Sequence, residues 1–391
     1  MKIQISKKLG SIPNYAFAEV DNEVAKLKKL GITPIDFGVG DPKEPTPEIV
    51  RNALKKAVDL RKSSGYPSYN GSEEYRQEVS RWNKKRFGVN LDYAKEVSST
   101  IGAKEAVFNF PQAFLNYGDY VISPNPGYPP YEKGTLFAGG NTYFVPLLKE
   151  NKFLMGLNKI PKEIIKKSKI LWINYPNNPT GAVASENFFK EVIDFGHDNN
   201  IIIASDECYS EIYFEEKPHS ILEYSKEGIV VFQSLSKRSA MTGYRVGWVA
   251  GDENLIAPFK KLKPYIDSGT STFIQDAAIA ALQDESHVEE MRSDYKNKRD
   301  IMIDAFASAG LEDCTPDATL YIWQKVPAKT DSVQFAKRLL NKDIAVVVTP
   351  GAWISSNFND FNPGNNYVRF ALVPSIQETK EAAKRVKENL K

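Results

Sequence analysis

Residues 229–238 read IVVFQSLSKR, an apolar run followed by two serines and a lysine. A short β-branched run of this kind is typical of a strand that is buried on both faces of a parallel sheet. Lys237 therefore lies at the end of a buried strand, where a charge is costly unless chemistry requires it. Because a desolvated lysine amine forms a Schiff base with an aldehyde, the position favours that chemistry.

The neighbours of this lysine are suited to a phosphate group. Ser234 and Ser236 offer hydroxyls, and Arg245 follows eight residues after the lysine. Hydroxyl and guanidinium groups bind a phosphate dianion through charge-assisted hydrogen bonds. Together with Lys237 they indicate a phosphorylated aldehyde as cofactor, pyridoxal 5'-phosphate (PLP).

Composition and charge exclude several classes of partner. The chain has 391 residues, 26% of them charged, and its net charge of +2 favours neither nucleic acid nor an anionic membrane. There is no run of about 18 apolar residues, so no membrane span is expected, and the start lacks the apolar core of a signal peptide. Two distant cysteines and three histidines without metal-ligand spacing predict no disulfide framework and no metal site. We therefore expect a cytoplasmic protein of two domains.

Short apolar runs alternate with helical stretches through the first two thirds of the chain, the pattern of parallel strands joined by crossover helices. After about Gln275, charged helical segments precede further strand candidates, which indicates a smaller α+β domain. The strand candidates are 120–123, 170–174, 201–205, 229–232, 319–323, 345–348 and 367–370. We predict an α/β fold, with a mostly parallel sheet between helices in the large domain. The predicted division assigns 1–45 to an arm and part of the small domain, 46–275 to the large domain and 276–391 to the small domain.

Three polar clusters follow apolar runs, at the strand ends where ligands gather in such sheets. Ala103 and Lys104 open a helix whose free N–H groups could bind phosphate, although ordinary glycine capping gives the same pattern. Asn178 is either a residue of a proline-rich turn or a hydrogen-bond donor to the cofactor ring. Asp206 is either a helix N-cap or the carboxylate that keeps a pyridine nitrogen protonated, with Tyr209 then placed to bond the ring hydroxyl.

Two further features also leave alternatives. Arg369 lies in an apolar strand candidate and is either an exposed edge residue or a bidentate clamp for a substrate carboxylate. The pair Ser234 and Lys237 also matches the serine–lysine pattern of penicillin-interacting hydrolases. The SDN and KTG segments that accompany that pattern do not occur in this chain.

In chain order, these motifs resemble those of the class I/II aminotransferases, PLP enzymes of fold type I, over nearly the whole chain. The motifs are Gly38-Val39-Gly40-Asp41-Pro42, Tyr66 with Gly71, Asn177-Asn178-Pro179-Thr180-Gly181, Asp206 with Tyr209, Ser234-x-Ser236-Lys237 with Arg245, and Arg369. Each motif is modest alone, but six in order at the family spacing are specific. The resemblance implies PLP as cofactor, an amino acid and a 2-oxo acid as substrates, and a homodimer.

The same resemblance implies a role for each site residue. Lys237 holds PLP as a Schiff base and moves the proton between substrate and cofactor. Asp206 pairs with the pyridine nitrogen, while Tyr209 and Asn178 bond the ring oxygen. The resemblance also implies that Tyr128 stacks on the ring. It implies that Gly40 and Arg369 bind the substrate carboxylate, with Tyr128 and Asn178 beside the substrate. The residues implied to bind the phosphate are Ala103, Lys104, Ser234, Ser236, Arg245 and, across the dimer, Tyr66.

Within the class, the chain is similar to the LL-diaminopimelate aminotransferases. The shared segments are Leu9–Phe17, Arg86–Val89, Gly127–Tyr131, Gly134–Leu136, Ile173–Tyr175 and Ile266–Gly269. Two segments depart from that group, Thr270–Phe273 and Arg238–Ala240, and the second is similar to the N-succinyl-diaminopimelate aminotransferases.

These likenesses lead to a specific expectation of the reaction. We expect ping-pong transfer of an amino group between LL-diaminopimelate, or its cyclised keto form tetrahydrodipicolinate, and the 2-oxoglutarate/glutamate pair, in lysine biosynthesis. The alternatives are an aspartate, alanine, aromatic or N-succinyl-diaminopimelate aminotransferase and a PLP lyase that acts at Cβ.

Overall fold

The computed structural model describes residues 3–12 and 18–390 and places them in two compact units. The large unit comprises Asp41–Asn297 and Pro316–Tyr321, and the small unit comprises the described residues of Met1–Gly40, Lys298–Thr315 and Ile322–Lys391. The sequence indicated divisions near 45 and 275 instead. The boundary after Asn297 lies inside a helix that contains no glycine or proline, so the sequence has no local signal for this boundary. The domain division given above stays a prediction, and part of the N-terminal motif, residues 13–17, lies outside the described residues.

The α-helices account for most of the regular structure. In chain order they are α1 (Lys7–Gly10), α2 (Ala18–Lys29), α3 (Glu48–Leu60), α4 (Glu73–Phe87), α5 (Gly102–Asn109), α6 (Pro129–Ala138), α7 (Lys162–Ile165), α8 (Glu186–Asn199), α9 (Leu235–Arg238), α10 (Glu253–Leu262), α11 (Thr272–Gln283), α12 (Ser286–Ser308), α13 (Ser332–Leu340) and α14 (Ile376–Asn389). Of the helices in the described ranges, none has the length and apolar character needed to cross a membrane.

The strands form one large sheet and two small ones. In chain order they are β1 (Ile35–Asp36), β2 (Val97–Thr100), β3 (Tyr120–Asn125), β4 (Asn141–Pro146), β5 (Ser168–Asn174), β6 (Ile202–Asp206), β7 (Ile229–Ser234), β8 (Gly247–Gly251), β9 (Tyr321–Lys325), β10 (Val346–Val347), β11 (Thr349–Pro350) and β12 (Tyr367–Ala371). Each predicted strand candidate overlaps one of these strands.

The sheet of the large unit has seven strands in the order β2-β8-β7-β6-β5-β3-β4. All neighbours pair in parallel except β8, which is antiparallel to both β2 and β7. The sequence did not predict β2, β4 or β8. In β8, a side chain at Gly247 would collide with the carbonyl oxygen of Gln233 on the neighbouring strand. Close approach of the two backbones therefore requires a glycine, which lowers the strand signal in the sequence.

Helix α8 illustrates how the sequence covers this sheet. Ser185 accepts a hydrogen bond from the backbone N–H of Phe188 and caps the helix, while Asn200 ends it in the left-handed region at φ 52°. Phe188, Phe189, Val192 and Ile193 are buried and recur at helical spacing, so one apolar face packs on the sheet.

Strand register places several chemically active residues side by side. Asn174 on β5 pairs with Asp206 on β6, Asp206 pairs with Phe232 on β7, and Ser234 pairs with Gly247 on β8. Because β5, β6 and β7 are parallel, their carboxyl ends meet at one edge of the sheet. Ligands of doubly wound sheets bind at that edge.

The small unit pairs β1 with β10 in parallel and forms a separate sheet in the order β11-β12-β9. The ring centroids of Phe37 and Phe306 lie 5.8 and 4.8 Å from that of Phe370 on β12. Val368 and Phe370 are buried, and Arg369 between them is half-buried. The strand therefore directs Arg369 to the face opposite its apolar contacts.

Candidate active site

A buried carboxylate lies at the end of β6. Asp206 accepts hydrogen bonds from the Tyr131 hydroxyl at 2.7 Å and from the Cys208 N–H at 3.2 Å. No helix begins at this position of the described chain, since Asp206 ends a strand and a turn follows, so the N-cap alternative is wrong. Burial raises the pKa of Asp206, against the hydrogen bond from Tyr131, which lowers it.

The surroundings of Asp206 fit a pyridine nitrogen. Both of its hydrogen-bond donors, Tyr131 and Cys208, are neutral, and a buried carboxylate is stable only when its charge is compensated. A protonated pyridine nitrogen would donate a hydrogen bond and add a positive charge beside the carboxylate. The residues present therefore fit the PLP ring.

Lys237 lies at the same edge of the sheet as this carboxylate. It is half-buried on α9, a single helical turn that follows β7. Asp206 pairs with Phe232 on β7, and Lys237 comes three residues after that strand ends at Ser234. The charge of Asp206 raises the pKa of the buried Cys208 thiol, and the charge of Lys237 lowers it.

An aromatic wall stands beside these two residues. The ring of Tyr131 stacks on Trp172 with centroids 4.8 Å apart, and Tyr128 contacts Tyr131 edge-on at 5.8 Å. Burial and the charge of Asp206 raise the pKa of Tyr128, while Arg245 lowers it. Tyr128 thus packs against Tyr131, which donates to Asp206, and this position suits a residue that stacks on the ring.

Tyr209 and Asn178 are held near the strand ends by residues that the sequence did not identify. The hydroxyls of Tyr209 and Tyr321 are 3.1 Å apart, and both side chains are buried. Asn174 Nδ2 donates to the carbonyl oxygen of Asp206 at 2.8 Å, and Asn174 Oδ1 accepts from the Asn178 N–H at 2.9 Å. Asn174 thus links the turn that carries Asn178 to the end of β6.

The predicted phosphate-binding groups meet at the start of α5. The guanidinium of Arg245 donates to the carbonyl oxygens of Thr242, at 2.7 Å, and Ile101, at 3.4 Å. A Cβ atom at Gly102, which has φ +67°, would collide with that guanidinium, so glycine lets Arg245 approach the backbone at the start of the helix. An arginine held beside the first N–H groups of a helix fits a phosphate.

The other predicted phosphate ligands differ in how they can contribute. Ser234 Oγ lies 2.9 Å from Ser236 Oγ and accepts from the Ser236 N–H at 3.1 Å, so the two hydroxyls are adjacent. Ala103 is buried, whereas Lys104 is exposed. Lys104 can therefore contribute through its backbone N–H rather than through its ammonium group.

A buried ionic cluster, which we did not predict from the sequence, supports the start of α5. Lys263 is completely buried, and its Nζ lies 2.8 Å from Asp267 Oδ2 and 3.3 Å from Glu105 Oε2. Glu105 Oε2 also accepts from the Ile101 N–H at 3.1 Å. The cluster thus ties α5 to the loop that follows α10.

The remaining predicted residues are Tyr66, Gly40 and Arg369. Tyr66 belongs to the large unit and is 91% exposed. Gly40 and Arg369 belong to the small unit, where Arg369 Nη2 donates to the carbonyl oxygen of Gly38 at 2.9 Å. Strand β12 therefore places Arg369 beside the turn that leads to Gly40.

Comparison with known proteins identifies the class. Residues 32–386 match the family model described as aminotransferase class I and II. A substrate-bound BacF structure from Bacillus subtilis is similar to this chain, with a TM-score of 0.91 and 31% identity. The alignment covers 100% of this chain and 98% of the BacF chain. An aspartate aminotransferase mutant from Thermus thermophilus gives a TM-score of 0.90 at 26% identity, with 99% of this chain and 100% of that chain covered. The chain therefore belongs to the class I and II aminotransferases and has the fold type I architecture.

Relatives in sequence share one name within this class. The chain is 44% identical to the LL-diaminopimelate aminotransferase of Aquifex aeolicus over 99% of both chains. It is 41% identical to that of Halothermothrix orenii over 97% of both. The protein is a PLP-dependent aminotransferase, with an amino acid and a 2-oxo acid as substrates. The predictions of family, fold class and cofactor are confirmed.

Proposed function

We propose that this aminotransferase moves an amino group between LL-diaminopimelate, whose keto form cyclises to tetrahydrodipicolinate, and the 2-oxoglutarate/glutamate pair. The observation that carries the proposal is 40–44% identity, over nearly the full chain, to relatives named LL-diaminopimelate aminotransferase. A reaction in lysine biosynthesis fits a cytoplasmic enzyme, which is the location we propose.

The site residues have distinct tasks in this proposal. When bound, PLP draws electrons from the Cα atom of the amino acid and so makes its proton removable. Asp206 holds the negative charge that keeps the pyridine nitrogen protonated. Tyr209 and Asn178 donate to the ring oxygen, and Tyr128 covers one face of the ring and excludes water there.

Lys237 carries the proton. Its amine would take the proton from Cα and return it at the C4' carbon of the cofactor, as a general base whose position matters more than its strength. Ser234, Ser236, Arg245 and the first N–H groups of α5, at Ala103 and Lys104, hold the phosphate. Gly40 and Arg369 bind the substrate carboxylate, with a planar guanidinium suited to two parallel hydrogen bonds.

We also propose that the active protein is a homodimer. Tyr66, Leu60 and Tyr265 are 91%, 73% and 87% exposed on the large unit. Large side chains with apolar surface that are this exposed support a protein–protein contact surface on the large unit. Tyr66 would then complete the phosphate site of the other subunit, and sedimentation of the purified protein measures the assembly.

A half-reaction screen tests the substrate. The PLP-loaded protein is mixed with single amino acids, and the loss of its visible absorption band is followed by stopped flow. LL-diaminopimelate should give the highest second-order rate, with glutamate also reactive. Aspartate, alanine, the aromatic amino acids and N-succinyl-LL-diaminopimelate are the comparison set. A higher rate with any of these than with LL-diaminopimelate would refute the assigned substrate.

Lys237→Ala tests the site assignment. The variant should lose the absorption band of the lysine-bound cofactor and nearly all turnover, because the amine both attaches the cofactor and moves the proton. Lys226→Ala, a partly exposed lysine paired with Glu96 at 2.6 Å, is the matched control and should keep both. Retention of the band and of turnover in Lys237→Ala would remove this residue from the proposed role.

A further inference from the structure

The helical turn that carries Lys237 is short. Helix α9 has four residues, Leu235–Arg238, and one turn of helix is not stable by itself. The position of the Lys237 amine therefore depends on how the residues next to it are held. Ser234 caps the start of the turn, Arg238 is its last residue, and Ser239 follows directly after it.

Arg238 is held inside the large unit. Its Nη1 donates to the carbonyl oxygen of Ala281 at 2.8 Å, and its Nη2 lies 2.7 Å from Glu285 Oε1. The guanidinium also lies 5.5 Å from the ring centroid of Trp82, whose Nε1 donates to the same Glu285 oxygen at 3.0 Å. Arg238 is 2% exposed, so its charge is compensated within the protein rather than by solvent.

Ser239 begins a chain of hydrogen bonds to the start of α12. Its Oγ lies 2.9 Å from His287 Nε2, and His287 Nδ1 lies 2.7 Å from Asp284 Oδ2. A carboxylate only accepts, so Nδ1 carries a proton, and Nε2 of the neutral ring then accepts from Ser239. Burial lowers the pKa of His287, which favours the neutral ring that this chain requires.

We propose that Arg238 and Ser239 are positioning residues, which fix the Lys237 turn to the α11–α12 connection through Glu285 and His287. The inference rests on the proposed role of Lys237. The Nη1 and Nη2 groups of Arg238 and the hydroxyl of Ser239 all make their hydrogen bonds inside the large unit. They therefore set the place of the amine rather than the choice of substrate, although they are one of the segments that depart from the similar aminotransferases.

The test uses Ser239→Ala and His287→Gln, singly and together, in the PLP-loaded protein. Each single variant should slow the single-turnover rate with glutamate about tenfold, because a misplaced general base reacts poorly even when substrate binds normally. The glutamate concentration at half-saturation should stay unchanged. The double variant should be no slower than the slower single variant, since the two residues act as one chain.

A matched control separates positioning from folding. His219 is an exposed histidine whose Nδ1 lies 3.0 Å from Glu223, so His219→Gln removes the same kind of pair away from Lys237. It should leave the single-turnover rate at the wild-type value. A lower melting temperature with an unchanged single-turnover rate in Ser239→Ala and His287→Gln would show a structural role only and would overturn the inference.

The remaining outcomes are also decisive. Should His287→Gln fail to accumulate, Ser239→Ala removes a single oxygen atom and carries the test alone. If Lys237→Ala keeps the absorption band, the proposed role of Lys237 fails. If the band depends on Lys237 but Ser239→Ala reacts at the wild-type rate, that role stands and only the positioning inference is overturned.

Discussion

The hydroxyl of Tyr131 donates a 2.7 Å hydrogen bond to Asp206, and both side chains are buried. Tyr131 also stacks on Trp172, which fixes the direction of that hydroxyl. The hydrogen bond opposes the effect of burial on the pKa of Asp206 and so favours the ionised carboxylate. Tyr131 therefore favours the negative charge on Asp206, which we propose pairs with the pyridine nitrogen.

The first prediction removes that hydroxyl. Tyr131→Phe should raise the pKa of Asp206 further and weaken PLP binding about tenfold, with the greatest loss at low pH, where the carboxylate is protonated. Equilibrium dialysis of PLP between pH 6 and 9 measures it. Tyr175→Phe is the control, because the buried Tyr175 hydroxyl donates to the carbonyl oxygen of Phe153 instead. Equal PLP affinity in Tyr131→Phe and the wild type would contradict the prediction.

The second prediction concerns the substrate carboxylate. Arg369→Lys replaces a planar fork by a point charge, so KM for the amino acid should rise about tenfold or more while kcat changes less. Initial rates over a range of glutamate concentrations give both constants. Arg338→Lys, at an arginine paired with Asp343 at 3.0 Å on the same unit, should change neither. An unchanged KM in Arg369→Lys would exclude the carboxylate clamp.

The main architecture could be predicted because its signals are local. Strands β5, β6 and β7 each contain a continuous apolar run, so their burial can be predicted without any knowledge of their neighbours. Asp206, Ser234 and Lys237 follow those runs directly, and parallel strands bring such residues to one edge. Residues that follow these strands in the sequence therefore lie near one another in the structure.

Contacts between distant segments could not be predicted. Tyr131 is 75 residues from Asp206, and Lys263 is 158 residues from Glu105. The charged run Lys260–Lys263 is typical of a solvated helix face, yet Lys263 is completely buried. Its burial follows from the packing of the loop after α10 against α5, and a single sequence carries no periodic pattern for such a pairing.

The third prediction tests this buried lysine. Lys263→Met leaves Glu105 and Asp267 without their cation, and uncompensated buried charges destabilise a protein by about 3–5 kcal/mol. Urea unfolding of the PLP-free protein measures the change. Lys190→Met, at an exposed lysine paired with Glu186 on α8, should cost only about 0.5 kcal/mol. A loss of the same size in both variants would contradict the prediction.

The fourth prediction uses a carboxyl group next to Asp206. Burial raises the pKa of Glu207 from 4.5 to about 7, against hydrogen bonds from Ser205 and the Ile221 N–H. Between pH 4.5 and 7 the folded protein keeps this proton and the unfolded chain does not. Glu207 therefore makes stability fall as pH rises through this window, by about 3 kcal/mol in total, and the effect levels off above pH 7.

Glu207→Gln imitates the protonated side chain at every pH. Its free energy of unfolding, relative to the wild type, should rise between pH 5 and 8, as measured by urea titration at four pH values. Glu191→Gln, at an exposed carboxyl group on α8, is the control and should follow the wild-type slope. Parallel curves for Glu207→Gln and the wild type would show that this carboxyl group does not titrate in the window.

The fifth prediction tests whether Tyr66 acts in the other subunit. In a mixed dimer of Lys237→Ala and Tyr66→Ala chains, one site has both changes. The other combines the intact Lys237 of one chain with the intact Tyr66 of its partner, so one native site is restored. Mixing should therefore raise the PLP saturation and turnover above the sum of the two separate proteins.

Because Tyr66 is exposed, a mixture that shows no gain in activity can also be interpreted. At 91% exposure the side chain has almost no packing within its own chain, so Tyr66→Ala should leave the melting temperature of each chain close to the wild-type value. Any loss of PLP binding then comes from a ligand contact rather than from unfolding. If Tyr66 served its own subunit, no site in the mixed dimer would gain a residue, and the activity of the mixture would equal the sum of its parts. Sedimentation of the same samples confirms that mixed dimers have formed.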